Sequence, residues 1–288
     1  MIDSDSGELL SIGDVAEQTG LSEATLRMWE ARHGFPVPER LASGHRRYCE
    51  RDVELLRQVL DERSRGLSLK VAIERVAHSR QERERSLFAA LRRRRPDLER
   101  HLLPKPAVLA MSRAIEDELS VRGERSLLVG SFQRERHYRR TERRWRELSR
   151  TAEFAVALAD FEQPRHPRGG PIELPLAQTD PLLREWGIVC AGRGFGACLA
   201  GVERANDRRQ NDMERTFETL WSVDPEVVHQ AAQVACEIIS RQDAQLSREM
   251  TDYLDGAKAP TNDRFDTAAA LTSRMVAYVG QQRSAAGS

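Results

Sequence analysis

The sequence predicts an α+β multidomain fold: an N-terminal all-α winged helix-turn-helix, a helical linker, and a C-terminal domain of mixed α/β structure. Three observations support this prediction. Short capped segments with helical periodicity come first, whereas from Ser126 onward apolar runs of strand length alternate with helical patterns. A chain of 288 residues is also long enough for two domains that each bury a core.

Composition indicates a cytoplasmic protein with reduced thiols. No apolar run approaches the roughly 20 residues that a membrane span needs, and residues 1–10 lack the basic start and apolar stretch of a signal peptide. The four cysteines are widely spread and form no C-x-x-C pair. We therefore expect structural thiols and neither a disulfide framework nor a zinc module.

Charge is balanced overall but unevenly distributed. The chain has 45 Lys and Arg and 45 Asp and Glu, yet residues 80–150 are rich in basic residues and residues 151–288 in acidic ones. Only three of the basic residues, Lys70, Lys105 and Lys258, are Lys. Abundant Arg therefore does not by itself indicate nucleic-acid binding.

Two short capped helices open the chain. Ser11 is placed as an N-cap with Asp14 three residues later, and Gly20 ends the first helix. Ser22 then caps a second helix that stops at Gly34. Two short helices joined by a tight turn predict a helix-turn-helix.

Two further helices follow a basic loop. Apolar residues repeat at helical spacing over residues 52–65, and Gly66 closes that helix. Ser68 caps the next helix, which carries an apolar face as far as residue 77. The order helix, turn, helix, basic loop, helix, helix predicts a small winged domain over residues 9–77.

The rest of the chain divides into three parts. In residues 78–101, apolar residues recur among charged ones. This pattern predicts a helical linker, which is also a candidate dimerisation helix. Residues 102–242 predict the mixed domain. The tail, residues 243–288, ends in a candidate amphipathic helix.

The mixed domain alternates strand and helix patterns. Strand-like apolar runs occur at residues 127–132, 154–161, 186–191, 197–202 and 216–223. Helical patterns occur at residues 108–121, 138–152 and 225–241. A segment rich in Pro and Gly, residues 163–175, separates the second of these strands from the third.

The loop RLASGHRRYCERD, residues 40–52, has three competing interpretations. A metal site needs several converging ligands, but His45 and Cys49 lack a second pair nearby. A phosphate loop for nucleotides needs several glycines that lead into a helix, whereas this loop has Gly44 alone. A nucleic-acid contact fits best, because a basic loop after a helix-turn-helix can reach the sugar-phosphate backbone.

Three segments resemble, in order and spacing, the N-terminal DNA-binding domain of MerR-family transcription regulators. They are LSIGDVA at residues 10–16, TLRMWE at residues 25–30 and GHRRY at residues 44–48. The segment WEARHGFPVPER at residues 29–40 resembles the subgroup that includes light-responsive, cobalamin-using repressors. The resemblance covers about residues 9–77 and implies a homodimer on a two-fold symmetric promoter element.

The resemblance also implies DNA-binding residues on the second helix and the wing. These are Ser22, Thr25, Arg27, Met28, Trp29, Arg40, His45, Arg46, Arg47 and Tyr48. Arg27 and Arg46 would contact the DNA backbone. Thr25 and Met28 would face base edges or sugars, and Tyr48 would buttress the wing.

Two positions depart from the common family pattern. Many members carry a second aromatic residue where this chain has Met28, and Tyr where it has His45. The DNA-base preference of other family members therefore cannot be assigned to this chain. Activators of the family deform an overlong promoter spacer, whereas the cobalamin subgroup represses, so the sign of regulation stays open.

Neither cobalamin nor a metal is expected as the effector. Cobalamin readers of this family carry a D-x-H-x-x-G segment, and the His residues from His101 onward lack that context. Metal-sensing members place Cys near the dimer helix, and no Cys lies between Cys49 and Cys190. We therefore predict no metal and no cofactor.

Residues 102–242 resemble the DICT sensory domain, which is fused to bacterial regulators and signalling enzymes. The matching segments are MSRAIEDE at residues 111–118, REWGIV at residues 184–189 and FGACLA at residues 195–200. The resemblance implies a sensory role, but no binding residue can be carried across from it.

Three features of this domain have competing interpretations. Glu116, Asp117 and Glu118 are adjacent acids, which form a solvated helix face more often than a catalytic cluster. The segment GRGFG at residues 192–196 resembles a nucleotide loop, but a strand pattern follows it, which favours a turn between strands. The Arg-dense segment 134–150 favours a solvated, partly acid-paired face over a contact with DNA or an acidic partner.

Candidate effector contacts come from aromatic residues and one Arg: Trp145, Arg193 and Trp221. Aromatic residues at such spacing are more often simple core than ligand contacts. The sequence assembles no nucleophile, base and orienting group, so an enzyme is not expected.

We therefore expect a cytoplasmic, nucleoid-associated transcription regulator that a small molecule modulates through the C-terminal sensory domain. In the alternative interpretation, that domain docks a photosensory or signalling protein and binds no small molecule. The expected partners are double-stranded promoter DNA, a second copy of the chain and the effector. RNA polymerase at the target promoter is a further candidate, and no membrane partner is expected.

Overall fold

The computed structural model describes residues 9–41, 43–204, 212–256 and 264–286, and it confirms the α+β architecture. The chain separates into an N-terminal unit that ends at Gln81 and a second unit, here called the sheet unit. Within the described residues, no helix combines the length and the apolar character of a membrane span.

Helices and a short hairpin build the N-terminal unit. The helices are α1 (Ile12–Thr19), α2 (Glu23–His33), α3 (Glu50–Ser64) and α4 (Leu69–Arg85), whose last turn continues past Gln81. Strands β1 (Glu39–Arg40) and β2 (Arg46–Arg47) pair antiparallel. Apolar side chains of the helices form one core around the buried rings of Trp29 and Tyr48.

The caps predicted for α1 and α2 are confirmed. Ser11 Oγ accepts a hydrogen bond from the Asp14 backbone N–H at 3.3 Å, and the Asp14 carboxylate accepts one from the Ser11 N–H at 2.7 Å. Ser22 Oγ accepts the Thr25 N–H at 3.1 Å. Gly20 closes α1 with a φ of 73°, a left-handed conformation that glycine adopts without a Cβ penalty. These local signals produce the predicted helix-turn-helix.

A mixed sheet, seven-stranded over the described residues, forms the centre of the sheet unit. Its strands are β3 (His101–Pro104), β4 (Ser126–Ser131), β5 (Phe154–Ala159), β6 (Ile172–Pro175), β7 (Glu185–Gly192), β8 (Gly196–Glu203) and β9 (Thr216–Ser222). Their order is β3-β9-β8-β7-β4-β5-β6. The pairs β4–β5 and β5–β6 are parallel, and the others are antiparallel.

Helices cover both faces of this sheet. On one face lie α5 (Leu87–Arg94), α9 (Pro225–Ile239) and α10 (Ala244–Gly256). On the other face lie α6 (Lys105–Arg122), α7 (Glu135–Arg139), α8 (Glu142–Leu148) and α11 (Arg264–Ala286). Burial of apolar area on both faces, at about 25 cal/mol per Å², is the main stabilising contribution.

Helix α5 lies within the segment 78–101, which the sequence predicts as a linker. Its residues Leu87, Phe88 and Leu91 are buried in the core beside α9 and the sheet. The apolar face that suggested a dimerisation helix is therefore covered by the same chain.

Two parts of the sheet unit differ from the sequence prediction. The helix expected over residues 138–152 is interrupted between α7 and α8, where the Thr141 hydroxyl donates to the Tyr138 carbonyl at 3.1 Å. A side chain that bonds to a carbonyl of the preceding turn competes with continuation of the helix. Strands β3 and β6 lack a sequence signal, because each has only 4 residues and contains or adjoins proline.

Candidate DNA-binding surface and sensory cavity

Helix α2 presents two different sides. Trp29 is buried in the N-terminal core, whereas Arg27 and Met28 are exposed and Thr25 is half-buried. Arg27 pairs with Glu23, one turn earlier, at 2.6 Å. An ion pair this exposed contributes little to stability, so Arg27 can exchange Glu23 for a phosphate at low cost.

The hairpin of β1 and β2 is the predicted wing. The Leu41 N–H donates to the His45 carbonyl at 3.0 Å, and the Gly44 N–H donates to the Leu41 carbonyl at 2.7 Å. Gly44 has a φ of 81°, which side-chain-bearing residues rarely adopt. The turn leaves His45 exposed near the tip of the wing.

One carboxylate joins the wing to α2. Glu30 Oε1 accepts from Arg40 Nη2 at 2.7 Å, and Glu30 Oε2 accepts from Arg46 Nε at 2.6 Å. The hydrogen bond from Arg46 lowers the pKa of Glu30 and outweighs the opposing effect of burial. The carboxylate is therefore ionised at neutral pH and holds both Arg side chains in place.

The residues predicted to contact DNA differ in exposure. The exposed ones are Ser22, Arg27, Met28, Arg40 and His45, and the half-buried ones are Thr25, Arg46 and Arg47. Trp29 and Tyr48 are each 1% exposed. Rings this buried support the surface from beneath and present almost no area to solvent.

A cavity of about 670 Å³ opens on the α6 side of the sheet. Residues of α6, α8, β4 and β7 line it, together with Tyr278 of α11. Phe132 and Trp186 are half-buried and form apolar walls, and the Trp186 indole N–H donates to the Ser112 hydroxyl at 2.8 Å. Small-molecule sites typically measure about 300–1,000 Å³, so this cavity has a suitable size.

Buried acids occupy α6, where the sequence predicts a solvated face. Glu116 and Glu118 are 6% and 5% exposed. Glu116 accepts from the Trp145 indole N–H at 3.0 Å and pairs with Arg144. Burial raises the pKa of Glu116, and the charge of Arg144 opposes that rise. The solvated-face interpretation is wrong because Arg144, 28 residues further along the chain, supplies the counter-charge.

Asp117 of α6 bonds to Arg144 of α8 and to Tyr278 of the C-terminal helix α11. Arg144 Nη2 donates to Asp117 Oδ1 at 2.5 Å, and the Tyr278 hydroxyl of α11 donates to the other Asp117 oxygen. Burial raises the pKa of Asp117, but the hydrogen bonds from Tyr278 and Arg144 outweigh it, and the pKa lies below its ordinary value. Asp117 is therefore charged at neutral pH and accepts hydrogen bonds from both α8 and α11.

The three predicted effector contacts do not share one site. Trp145 lies in the cavity wall but is only 1% exposed. Arg193 lies in the turn between β7 and β8, beside a separate surface depression. Trp221 is half-buried on β9 and packs against the core on the α6 side. The turn itself is confirmed, since the Gly192 N–H donates to the Phe195 carbonyl at 2.9 Å.

Sequence reasoning missed the cationic residues of the cavity. Arg113 on α6, Arg140 between α7 and α8, and Lys105 at the start of α6 all line it. The Arg-dense segment 134–150 was a signal for one of them. Composition alone does not show which Arg faces a cavity.

The cysteines are free, and three of the four are buried. Burial raises the pKa of Cys190 and of Cys198 to about 12, so both thiols are protonated at neutral pH. In the part of the chain that the structure describes, His, Cys, Asp and Glu residues form no group of three or more able to hold a metal ion.

Three families match consecutive parts of the chain. Residues 10–78 match the MerR HTH family regulatory protein, and residues 85–204 match DICT, the sensory domain in diguanylate cyclases and two-component system. Residues 211–285 match the C-terminal domain of two-partite extracellular sensor domain. This last match includes β9 and the helices α9, α10 and α11.

A curated relative resembles the N-terminal unit. Over 69 residues the chain is 44% identical to the HTH-type transcriptional repressor CarA of Myxococcus xanthus. The match covers 23% of this chain and 24% of that protein, so about three quarters of the relative lies outside it. The capped helix-turn-helix, the wing and these matches together show that the chain carries an N-terminal DNA-binding domain of the MerR HTH family followed by a DICT sensory domain.

Proposed function

We propose that the protein is a homodimeric transcription regulator that binds a two-fold symmetric promoter element and responds to a small molecule. Residues 9–77 form the DNA-binding domain and residues 102–242 the sensory domain, while α5 of the connecting segment 78–101 and α10 of the C-terminal segment 243–288 pack into the core of the sheet unit. The regulator works in the cytoplasm at the nucleoid, and it acts by binding rather than by catalysis. The match of residues 10–78 to MerR HTH regulators supports the DNA-binding part.

One observation carries this proposal: Glu30 holds the cations of the wing in a fixed relation to α2. Arg40 and Arg46 bond to Glu30 at 2.7 and 2.6 Å, and Arg27 is exposed on α2 itself. A helix that enters the major groove while a wing contacts flanking phosphates needs such a fixed relation. Arg27 and Arg46 are the proposed backbone contacts, and Thr25 and Met28 are proposed to face base edges or sugars.

Substitution of the two proposed phosphate contacts tests the DNA-binding surface. Arg27→Ala and Arg46→Ala are each expected to weaken binding to promoter and unrelated duplexes alike, and to lower the salt-dependence slope by about 1, since each removes one phosphate contact. Fluorescence-anisotropy titrations at several salt concentrations measure both quantities. A two-fold symmetric duplex is expected to bind two chains.

Arg65→Ala is the matched control. Arg65 is exposed at the end of α3 and pairs with Asp61 of the same helix at 2.8 Å. This variant is expected to bind DNA like the wild type. If Arg27→Ala and Arg46→Ala also left affinity unchanged at every salt concentration, the proposed surface would be refuted.

The cavity of the sheet unit supports a small-molecule effector over a docked protein. Its walls are concave, and polar groups such as Glu116 and Arg144 are held by hydrogen bonds. Concave sites with a few fixed polar groups are typical of small-ligand binding.

A further inference from the structure

The walls of the cavity carry more positive than negative charge. Among the described residues, five Lys or Arg side chains and three Asp or Glu side chains line it. Each acid already pairs with a cation of the same walls: Glu116 with Arg144, Asp212 with Lys105, and Glu147 with Arg143. Two cations therefore remain for a ligand.

The two remaining cations are Arg113 on α6 and Arg140 between α7 and α8. Both side chains are exposed, and neither forms an ion pair with another residue in the described ranges. A guanidinium group presents donors in a planar fork that matches a carboxylate. Exposure keeps both groups available to a ligand that enters from solvent.

Two aromatic side chains also line this cavity. Phe132 and Trp186 are half-buried and line the same cavity. The Trp186 indole N–H already donates to Ser112 at 2.8 Å, so Trp186 offers its ring surface rather than a donor. Ring surfaces of this kind pack favourably on other flat, conjugated groups.

We propose that the cavity binds a planar organic anion, an aromatic or conjugated carboxylate whose rings pack on Phe132 and Trp186 and whose charge meets Arg113 and Arg140. A volume of about 670 Å³ holds such a molecule. The proposal names the effector class of the regulator, and its regulatory meaning rests on the proposed function. The binding itself does not depend on that function.

Calorimetric titration of the full chain with 2-naphthoate tests the site, with 2-naphthalenemethanol as an uncharged analogue. The wild type is expected to bind one naphthoate, with a change in tryptophan emission, and to bind the alcohol more weakly. Arg113→Gln/Arg140→Gln is expected to weaken naphthoate binding between about twofold and 30-fold, and to leave binding of the alcohol unchanged.

Arg92→Gln/Arg93→Gln is the matched control, because both side chains are exposed on α5 outside the cavity. It is expected to bind naphthoate like the wild type. The proposal is overturned if the wild type does not bind naphthoate, if it binds the alcohol equally well, or if the cavity variant keeps full affinity.

Promoter binding by the same samples separates the two proposals. Naphthoate binding without DNA binding would leave the cavity assignment standing and refute the regulator. DNA binding without naphthoate binding would refute the cavity assignment and leave the regulator standing.

Discussion

Glu185 is a buried carboxyl group at the start of β7, 3% exposed. It accepts hydrogen bonds from the Ser86 hydroxyl and from the Phe88 N–H, the latter at 3.2 Å. Burial raises the pKa of Glu185 to about 7, and the bonds from Ser86 and Phe88 limit the rise. Because Ser86 is also the N-cap of α5, one titrating group connects α5 to the sheet.

The stability of the sheet unit is predicted to decrease as pH rises from about 4.5 to about 7. In this window the folded protein keeps a proton on Glu185 that the unfolded chain has released. The stabilising contribution is fully present below the unfolded pKa of 4.5 and is lost as pH passes through the folded value. The difference between the two pKa values limits the loss to about 3 kcal/mol.

Urea unfolding of the wild type and of Glu185→Gln, measured from about pH 5 to pH 8, tests this prediction. The amide preserves the side-chain volume but does not titrate, so the free energy of unfolding should vary less with pH in the variant. Equal pH dependence in both proteins would assign the effect to other groups.

The burial of Glu116 and Glu185 could not be predicted from the sequence, because the partner of each acid lies far away in the chain. Arg144 lies 28 residues from Glu116, and Ser86 lies 99 residues from Glu185. Periodicity identifies which side of a helix is apolar, but it does not identify the distant group that meets an acid on it. Burial of these acids therefore became visible only in the folded chain.

At the scale of elements, the contact of Glu30 with Arg40 and Arg46 connects α2 to the β1–β2 hairpin. Glu30→Gln is predicted to lower the ratio of specific to nonspecific DNA affinity by roughly threefold to tenfold. Loss of the carboxylate releases the wing cations from their fixed positions. It also removes a negative charge beside the DNA-binding surface, which strengthens nonspecific binding.

Mobility-shift titrations with a promoter duplex and a scrambled duplex of equal length measure this ratio. Asp61→Asn serves as the control, because it removes an exposed ion pair with Arg65 at the C-terminal end of α3. The control is expected to keep the wild-type ratio. A wild-type ratio in Glu30→Gln would show that the link between α2 and the wing does not contribute to specificity.

Elements differ in how far the sequence determines them locally. The caps at Ser11 and Ser22 lie within a few residues of the helices they start, so α1 and α2 could be predicted. Strand β3 is defined by pairing with β9, where the Thr219 hydroxyl donates to the His101 carbonyl across 118 residues. A partner so distant leaves no signal in the sequence around β3. The residues that line the cavity also come from segments far apart in the chain, so they could not be predicted as one site.

At the scale of the whole molecule, the N-terminal unit and the sheet unit have separate hydrophobic cores. The N-terminal core includes Val15 and Val76, and the two cores of the sheet unit include Leu87 and Leu271. Units that each bury their own apolar residues can unfold independently. We therefore predict two calorimetric transitions for the full chain.

Two core substitutions assign and test these transitions. A Cβ at Gly130 would lie 2.7 Å from Trp145 Cζ2 and 2.9 Å from Phe132 Cε2. Gly130→Ala therefore overpacks the sheet unit, costs about 1–3 kcal/mol and lowers one transition by roughly 3–10 °C. Leu56→Ala removes a fully buried side chain from the core of the N-terminal unit. It is therefore expected to lower the temperature of the other transition. A single transition, or a shift of both transitions by either substitution, would refute independent unfolding of the two units.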